Sequence, residues 1–296
     1  MKMKRIKLVF MTLSLLILLG GCKKKENPIP EPDPTSDVIL TENPSDPSEL
    51  LFKERDSKGR KGFVDRDGRL VIPCKWVSVD HFSEGLAAVQ DNNGKNGFID
   101  REGKLVIPCK WNNVFVFNEG LAAVVEYFEE EGTALWGFID KTGNTVIPCK
   151  WKKVSVFQEG FAAVQDNDGK WGFIDKTGEE VFPCQWSDVN YFKEGFACIK
   201  DDNGKYGFIS DKKSLMISCK WSDATYFNEG FAGVQDDNGK WGFIDKTGNL
   251  AIPCKWKDVS IFHEDLVAVQ DFNEDWGFID KAGKTVIPFV WDDHLS

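Results

Sequence analysis

The sequence predicts an all-β protein built as an array of seven antiparallel repeats of about 35 residues. Two markers carry this prediction. A glycine followed by an aromatic-rich strand recurs at positions 62, 97, 137, 172, 207, 242 and 277, and a tryptophan recurs at 76, 111, 151, 186, 221, 256 and 291. Both markers advance in steps of 35 residues with one step of 40, and no segment shows helical periodicity. The shared register of the two markers establishes the period.

The amino-terminal segment predicts export and lipid anchoring, and we do not assign it to the folded array. Residues 1–22 combine a basic start, a twelve-residue apolar run and a Gly-Gly-Cys ending. The run is too short for a membrane span and suits a signal peptide. Its ending resembles the lipobox of bacterial lipoproteins, which implies cleavage before Cys22 and lipidation of its sulfur. A plain signal peptide with an incidental cysteine is the alternative.

Residues 23–48 predict an extended tether, because six of the twelve prolines lie here and no apolar periodicity is present. Lys23, Lys24 and Lys25 favour an anionic lipid surface. The first 25 residues hold seven basic residues and no acid, so the remainder holds 30 basic and 47 acidic residues, a net charge of −17. This acidity disfavours nucleic acid as a partner.

Residues 49–296 form the repeats, and each repeat predicts three strands and a connector. LAAVQ-type and WGFID-type strands are joined by Asp-Asn-Asp-Gly at residues 166–169, and the Asp-Lys-Thr-Gly turn at residues 175–178 leads to a strand of the type VIPCKW. Proline inside that last strand predicts an edge, a bulge or a strand end. The connector carries a valine and a phenylalanine that we expect to pack into the core.

These residues resemble the bacterial WG, or KWG, β-repeat over about residues 50–296, with Lys61, Asn96 and Tyr206 in place of the expected tryptophan. The resemblance implies an all-β array, often in secreted or lipid-anchored proteins, and no established enzymatic activity. It favours an open, solenoid-like or superhelical array. A closed seven-bladed β-propeller is the alternative, although a 35-residue unit is short for a propeller blade.

Six cysteines recur at one repeat position where the seventh copy has Phe289, which indicates an apolar packing site and free thiols. Some disulfides remain an alternative in an exported protein. The turn carboxylates lack calcium-loop spacing, and the connector glutamates, one per repeat, are interpreted as structural hydrogen-bond acceptors. We expect no metal and no cofactor.

Exposed aromatic side chains are the candidate binding surface. It comprises Trp136, Trp171, Trp241 and Trp276, expected to be partly exposed, with Tyr127 and Phe128 from the five-residue excess of the third repeat. Core packing of the tryptophans and neutral variation of the insertion are the alternatives.

The sequence therefore predicts a non-enzymatic binding scaffold in the bacterial cell envelope. It is anchored through Cys22, in the outer membrane facing either the periplasm or the surface, and its partner is a protein or a glycan. A carbohydrate-active enzyme with a site between repeats and a purely structural spacer are the alternatives.

Overall fold

The computed structural model describes residues 50–128, 132–212 and 216–291, with the side chains of residues 290 and 291 excepted. The signal peptide, Cys22 and the tether lie outside the described residues. The described part of the chain contains 27 strands and no helix, hence no helix able to span a membrane. The all-β prediction is confirmed.

The strands form seven separate antiparallel sheets in chain order. The first sheet contains β1 (Phe52–Arg55), β2 (Lys61–Val64) and β3 (Leu70–Trp76). The second contains β4 (Ser78–Ser83), β5 (Leu86–Gln90), β6 (Asn96–Ile99) and β7 (Leu105–Trp111). The third contains β8 (Asn113–Val114), β9 (Leu121–Phe128), β10 (Thr133–Asp140) and β11 (Thr145–Trp151).

The remaining sheets repeat this four-stranded order. The fourth contains β12 (Lys153–Val154), β13 (Phe161–Gln165), β14 (Trp171–Asp175) and β15 (Glu180–Trp186). The fifth contains β16 (Asp188–Val189), β17 (Phe196–Lys200), β18 (Tyr206–Ser210) and β19 (Met216–Trp221). The sixth contains β20 (Asp223–Ala224), β21 (Phe231–Gln235), β22 (Trp241–Asp245) and β23 (Leu250–Trp256). The seventh contains β24 (Asp258–Val259), β25 (Leu266–Gln270), β26 (Trp276–Asp280) and β27 (Thr285–Trp291).

Sequence repeats and sheets are offset. The connector that follows each motif-ending tryptophan was predicted only to pack into the core, but it supplies the first strand of the next sheet. This strand is only two residues long in five of the six sheets that have it, too short for any periodicity to reveal it. Its apolar residues pack against the core as predicted, for example Val189 and Phe192. Each junction therefore ties two consecutive sheets covalently and by packing.

The last strand contains a proline in six of the seven sheets, with Ser218 in its place in the fifth, and one side of this strand is a free edge. Its pairing with the preceding strand is interrupted by register shifts, as between Trp171↔Trp186 and Phe173↔Phe182. The predicted edge and bulge are thus both present. Proline and an exposed lysine on this edge also oppose pairing with other chains.

The hydrophobic core lies between adjacent sheets. Between the third and fourth sheets, Phe138, Ile147 and Trp151 face Phe157 and Val164. A phenylalanine pair recurs at such junctions, with ring centroids 4.8 Å apart for Phe138 and Phe157 and 4.9 Å for Phe173 and Phe192. The turn glycine of the following sheet also touches the isoleucine of its predecessor, since a Cβ on Gly178 would lie 3.2 Å from Ile147.

Hydrogen-bonded strand pairing occurs only within sheets, and among the described residues the first and seventh sheets share none. At interior junctions the turn glycine contacts the isoleucine of the preceding sheet, whereas an ideal Cβ on Gly68 of the first sheet would have nothing within 4 Å. The array is therefore open, as predicted, and the closed propeller is not the observed arrangement.

Candidate functional site

A row of glutamates connects consecutive sheets, and we call it the glutamate ladder: Glu84, Glu119, Glu159, Glu194 and Glu229. Each has a positive φ near 51° in the turn after the first strand, a conformation that is uncommon for residues other than glycine. Each carboxylate accepts hydrogen bonds from backbone N–H groups of the same turn in the next sheet. The Glu159 carboxylate, for instance, accepts the N–H groups of Glu194 and Gly195, both at 2.7 Å. The strained turns are thus positioned by bonds between repeats.

Most of the ladder glutamates also form an ion pair with a lysine of the next sheet. The lysine Nζ lies 3.0 Å from Glu84 for Lys141 and 3.1 Å from Glu194 for Lys246. Asp211 occupies the lysine position in the fifth sheet, so Glu159 relies on backbone donors and on the charge of nearby Lys193. The prediction that these glutamates are structural hydrogen-bond acceptors is confirmed.

We predict that Glu194→Gln lowers the free energy of unfolding at pH 7 by about 1 kcal/mol, because a charged acceptor of two N–H groups is lost. Burial raises the pKa of Glu194, but the Gly230 and Glu229 N–H groups and Lys246 outweigh it and hold the pKa below its ordinary value of 4.5. The stabilisation is therefore present above that value and is lost as the pH falls through the lower folded-state pKa. Urea titrations between pH 3 and pH 7 measure it.

The control is Glu264→Gln in dilute solution, since Glu264 has the same turn conformation but no described partner for its carboxylate. An equal loss in both variants, or a Glu194→Gln effect that does not shrink in acid, would contradict the role of the ladder.

The predicted aromatic surface is only partly accessible. Trp171 is buried, with 3% of its surface exposed, so its expected partial exposure is wrong: the ring packs with Trp186 and Phe192 in the core between the fourth and fifth sheets. Trp136 is half-buried and lies against Phe115, with ring centroids 4.7 Å apart. Trp241 and Trp276 are also half-buried.

Tyr127 and Phe128 belong to the same hairpin as Trp136, formed by β9 and β10, which are eight residues long. Tyr127 is 50% exposed and Phe128 is half-buried. The structure thus brings three of the six predicted residues into one hairpin. Trp171, Trp241 and Trp276 lie in the fourth, sixth and seventh sheets.

The motif-ending tryptophans are core residues, as expected: all six with described side chains are buried. In five repeats the preceding lysine places its ammonium over the indole ring, at 4.5 Å for Lys150 over Trp151 and 4.6 Å for Lys255 over Trp256. The lysine thus covers the solvent side of the ring with a cation–π contact.

The seven cysteines of the described residues are free thiols. Six are half-buried. Five of these pack against a core between two sheets, namely Cys109, Cys149, Cys184, Cys219 and Cys254, and Phe289 packs at the equivalent site in the seventh sheet. Burial raises the pKa of Cys149 and of Cys184 to about 11. The packing interpretation is confirmed, and raised pKa values make these thiols poor nucleophiles.

The turn carboxylates accept hydrogen bonds from backbone N–H groups of their own turns. Asp166 accepts the Lys170 N–H at 2.8 Å through its side chain and the Gly169 N–H at 3.2 Å through its carbonyl. Residues 50–128, 132–212 and 216–291 hold no group of three or more side chains suited to a metal ion.

A tyrosine pair that the sequence interpretation missed lies on the first-strand edge, which comprises the first strands and the residues directly after them. Tyr191 is 37% exposed and Tyr226 is half-buried, and their ring centroids are 6.0 Å apart across two adjacent sheets. The Lys193 ammonium lies 4.3 Å from the Tyr226 centroid. Comparison of the repeats could have revealed this pair, since Val116 and Val156 occupy the positions equivalent to the two tyrosines.

Aspartates begin the first strands on the same edge. Asp188 and Asp223 each accept the N–H of the residue that follows, at 3.0 Å and 2.8 Å, which occupies donors that an edge strand would otherwise expose. Burial raises the pKa of both carboxyl groups. Lys200 lies 4.9 Å from the ring centroid of Tyr206 in the same region. The first-strand edge of the fifth and sixth sheets thus combines tyrosine, carboxylate and ammonium groups, whereas the other repeats have no tyrosine at this position.

Comparison with known proteins identifies the repeat. The WG containing repeat matches residues 62–95, 97–127, 136–171, 171–206, 206–241, 241–273 and 276–293. No curated protein matches the chain.

Among solved structures, the computationally designed protein Ika8 is similar with 10% identity and a TM-score of 0.42, covering 80% of this chain and 82% of that one. BamB from Moraxella catarrhalis has 11% identity and a TM-score of 0.41, with 81% and 87% covered. Apo AztD from Citrobacter koseri has 12% identity and a TM-score of 0.40, with 81% and 87% covered. Because the seven matched segments span more than half of the chain, the protein belongs to the family of WG containing repeat proteins.

Proposed function

We propose that the protein is a lipid-anchored scaffold of the bacterial cell envelope, and that its array binds a protein or a glycan without catalysis. The tyrosine pair carries this proposal. Tyr191 and Tyr226 present aromatic surface from two sheets at positions where valine satisfies the fold elsewhere. Because the fold does not require these rings, a role in recognition accounts for them. Tyrosine is suited to this role, since it offers a large rigid surface with a polar end.

The surroundings of the pair favour a neutral or basic ligand. Asp188 and Asp223 lie on the same edge, and the chain beyond residue 25 has a net charge of −17. Carboxylates accept hydrogen bonds from sugar hydroxyls and pair with lysine or arginine, whereas they repel phosphate-rich partners. The contact of Lys193 with Tyr226 demonstrates that one ring face accepts a cation.

The test uses substitutions that the fold already tolerates. We expect Tyr191→Val with Tyr226→Val to retain stability, because Val116 and Val156 occupy these positions in other sheets. Binding to a glycan array and capture of envelope proteins are compared for the full chain and the double variant. A ligand that loses at least about tenfold in affinity supports the proposal, as expected for two interface aromatics.

Tyr127→Ala is the matched control, since it removes an exposed tyrosine in a different sheet. Absence of any ligand at high micromolar concentration would favour the spacer alternative, and equal loss in the control would assign binding to the hairpin.

For the anchor, we predict that Cys22→Ala abolishes incorporation of labelled fatty acid and moves the protein from the membrane to the soluble or unprocessed precursor pool. The cysteine sulfur is the atom that the lipobox resemblance assigns to the lipid. Replacement of Lys23, Lys24 and Lys25 by glutamine is the control, and it should retain labelling. Labelling that persists in Cys22→Ala would contradict the anchor.

A further inference from the structure

We propose that the array associates head to tail, with the open face of the seventh sheet of one copy packing on the first sheet of a second copy. The two terminal sheets carry complementary halves of the junction that is repeated six times within the chain. This inference concerns the ends of the array and is independent of the tyrosine pair.

The open face of the seventh sheet keeps the apolar residues that the other sheets pack against their successors. In the third sheet these are Phe138 and Ile147, both fully covered. Their equivalents in the seventh sheet, Phe278 and Ile287, are half-buried. No polar residue replaces either of them, although a terminal repeat that caps an array usually carries a polar outer face. This face is therefore built for a following sheet.

The first sheet keeps features of a sheet that follows another. In the second sheet the positions facing backward hold Ala87 and Ile99, which pair with each other in the register. Their equivalents in the first sheet are Phe52, which is 49% exposed, and Val64, which is half-buried. An apolar surface is thus uncovered at the head of the array as well.

The glycine contact between sheets is also left incomplete at both ends. At interior junctions the turn glycine lies against the preceding isoleucine, as Gly143 does against Ile107 at 3.2 Å from an ideal Cβ. Gly68 is the equivalent glycine of the first sheet, and nothing lies within 4 Å of such a Cβ. Ile287 is the isoleucine that lacks a following glycine. Stacking a second copy in the same geometry brings Ile287 to Gly68.

The glutamate ladder also leaves one charged residue without its ladder partner at each end of the array. Arg66 stands at the ladder-lysine position of the first sheet and is exposed, with no ion pair among the described residues. Glu264 is the ladder glutamate of the seventh sheet and is likewise exposed. Repetition of the Lys281–Glu229 contact, 3.1 Å long, across the ends therefore places Arg66 against Glu264.

Net charge also distinguishes the ends. Residues 52–76 hold eight basic and four acidic side chains, a net charge of +4, whereas residues 258–291 hold two basic and seven acidic ones, a net charge of −5. Opposite charges attract the head of one copy to the tail of another and repel head from head. Because such a contact is heterologous, it extends into chains of copies instead of closed dimers.

The contact is expected to be weak. A four-stranded sheet with strands about 4.8 Å apart and about 17 Å long presents a few hundred Å², below the area of standard interfaces. We therefore expect a micromolar dissociation constant in solution. Anchoring on one surface raises the effective concentration of the ends, which compensates for low affinity.

Sedimentation velocity of the full 296-residue chain in detergent, at about 1–200 µM, tests the proposal. The protein mass should rise with concentration and fall with added NaCl, since exposed charges are screened. Arg66→Glu and Glu264→Arg should each weaken association at least about tenfold, and Ile287→Glu should weaken it further. Circular dichroism confirms that each variant is folded.

Mixing the two charge variants separates this proposal from contact between the ends of one chain. The acidic tail of Arg66→Glu and the basic head of Glu264→Arg are both intact, and the two altered ends also carry opposite charges. The equimolar mixture should therefore associate more strongly than either variant alone. A wild-type mass that stays monomeric at every concentration overturns the proposal. A mixture that associates no more than either variant alone also overturns it, because the native Glu264–Arg66 contact is available between the two variants.

Discussion

Gly172→Ala is expected to prevent stable folding of the central sheets, with a loss of at least about 4 kcal/mol in the free energy of unfolding. A Cβ at this position would lie 2.5 Å from the Phe182 carbonyl oxygen and 2.7 Å from the Cys184 nitrogen. Both are backbone atoms of the adjacent strand, so no side-chain rotation relieves the clash. Losses of this size are exceptional for one methyl group and require such a steric conflict. Chemical denaturation monitored by tryptophan fluorescence measures the loss.

Gly160→Ala is the matched control, because it separates backbone conformation from lack of space. Gly160 has a φ of +86° and nothing within 4 Å of an ideal Cβ. We expect it to cost about 1 kcal/mol through the positive φ alone. Comparable losses at the two positions would show that the glycine of the WG pair is not kept for close approach of the strands.

Phe138→Ala is expected to destabilise the array by about 3–5 kcal/mol, the range for a large aromatic removed from a core. Phe138 is fully buried, and its ring lies 4.8 Å from that of Phe157, which belongs to the next sheet. Its removal leaves a cavity at the junction between two sheets. Since each sheet contacts only its neighbours, stability is the sum of units and junctions, and we expect unfolding to separate into two transitions.

Phe278→Ala provides the control at the same repeat position, where no described sheet follows. In dilute solution it should cost less than half as much, because the side chain is already half-buried instead of fully covered. An equally large loss would mean that the stability gained from this phenylalanine arises within its own sheet.

Much of the fold could be predicted because the same local pattern occurs seven times. The period, the turns and the edge position of the proline strand follow from residues that recur in register. The first strand of each sheet could not be predicted, since Asp188–Val189 is two residues long and forms only by pairing with β17 of the next repeat. Strands of that length carry no periodicity of their own.

The candidate site could be predicted less well from the sequence, because it too depends on contacts between sheets. Trp171 occupies a position that also accepts Lys61 and Asn96, which suggested a surface, yet the neighbouring sheet covers it. Exposure here depends on packing between sheets and not on residue type. Tyr191 and Tyr226 lie 35 residues apart, and only the stacking of sheets brings their rings together.

The hairpin of the third sheet indicates how such a protein can acquire new parts. The antiparallel pairing of β9 with β10 continues without a register shift from Asp140↔Leu121 to Thr133↔Phe128. The added residues therefore lengthen these two strands beyond the junctions between sheets and leave every sheet in place. The corresponding tips of the other sheets, such as the turn at Asp166, are therefore insertion points at which evolution or an engineer can place an epitope, an enzyme or a second binding module at regular intervals along one molecule.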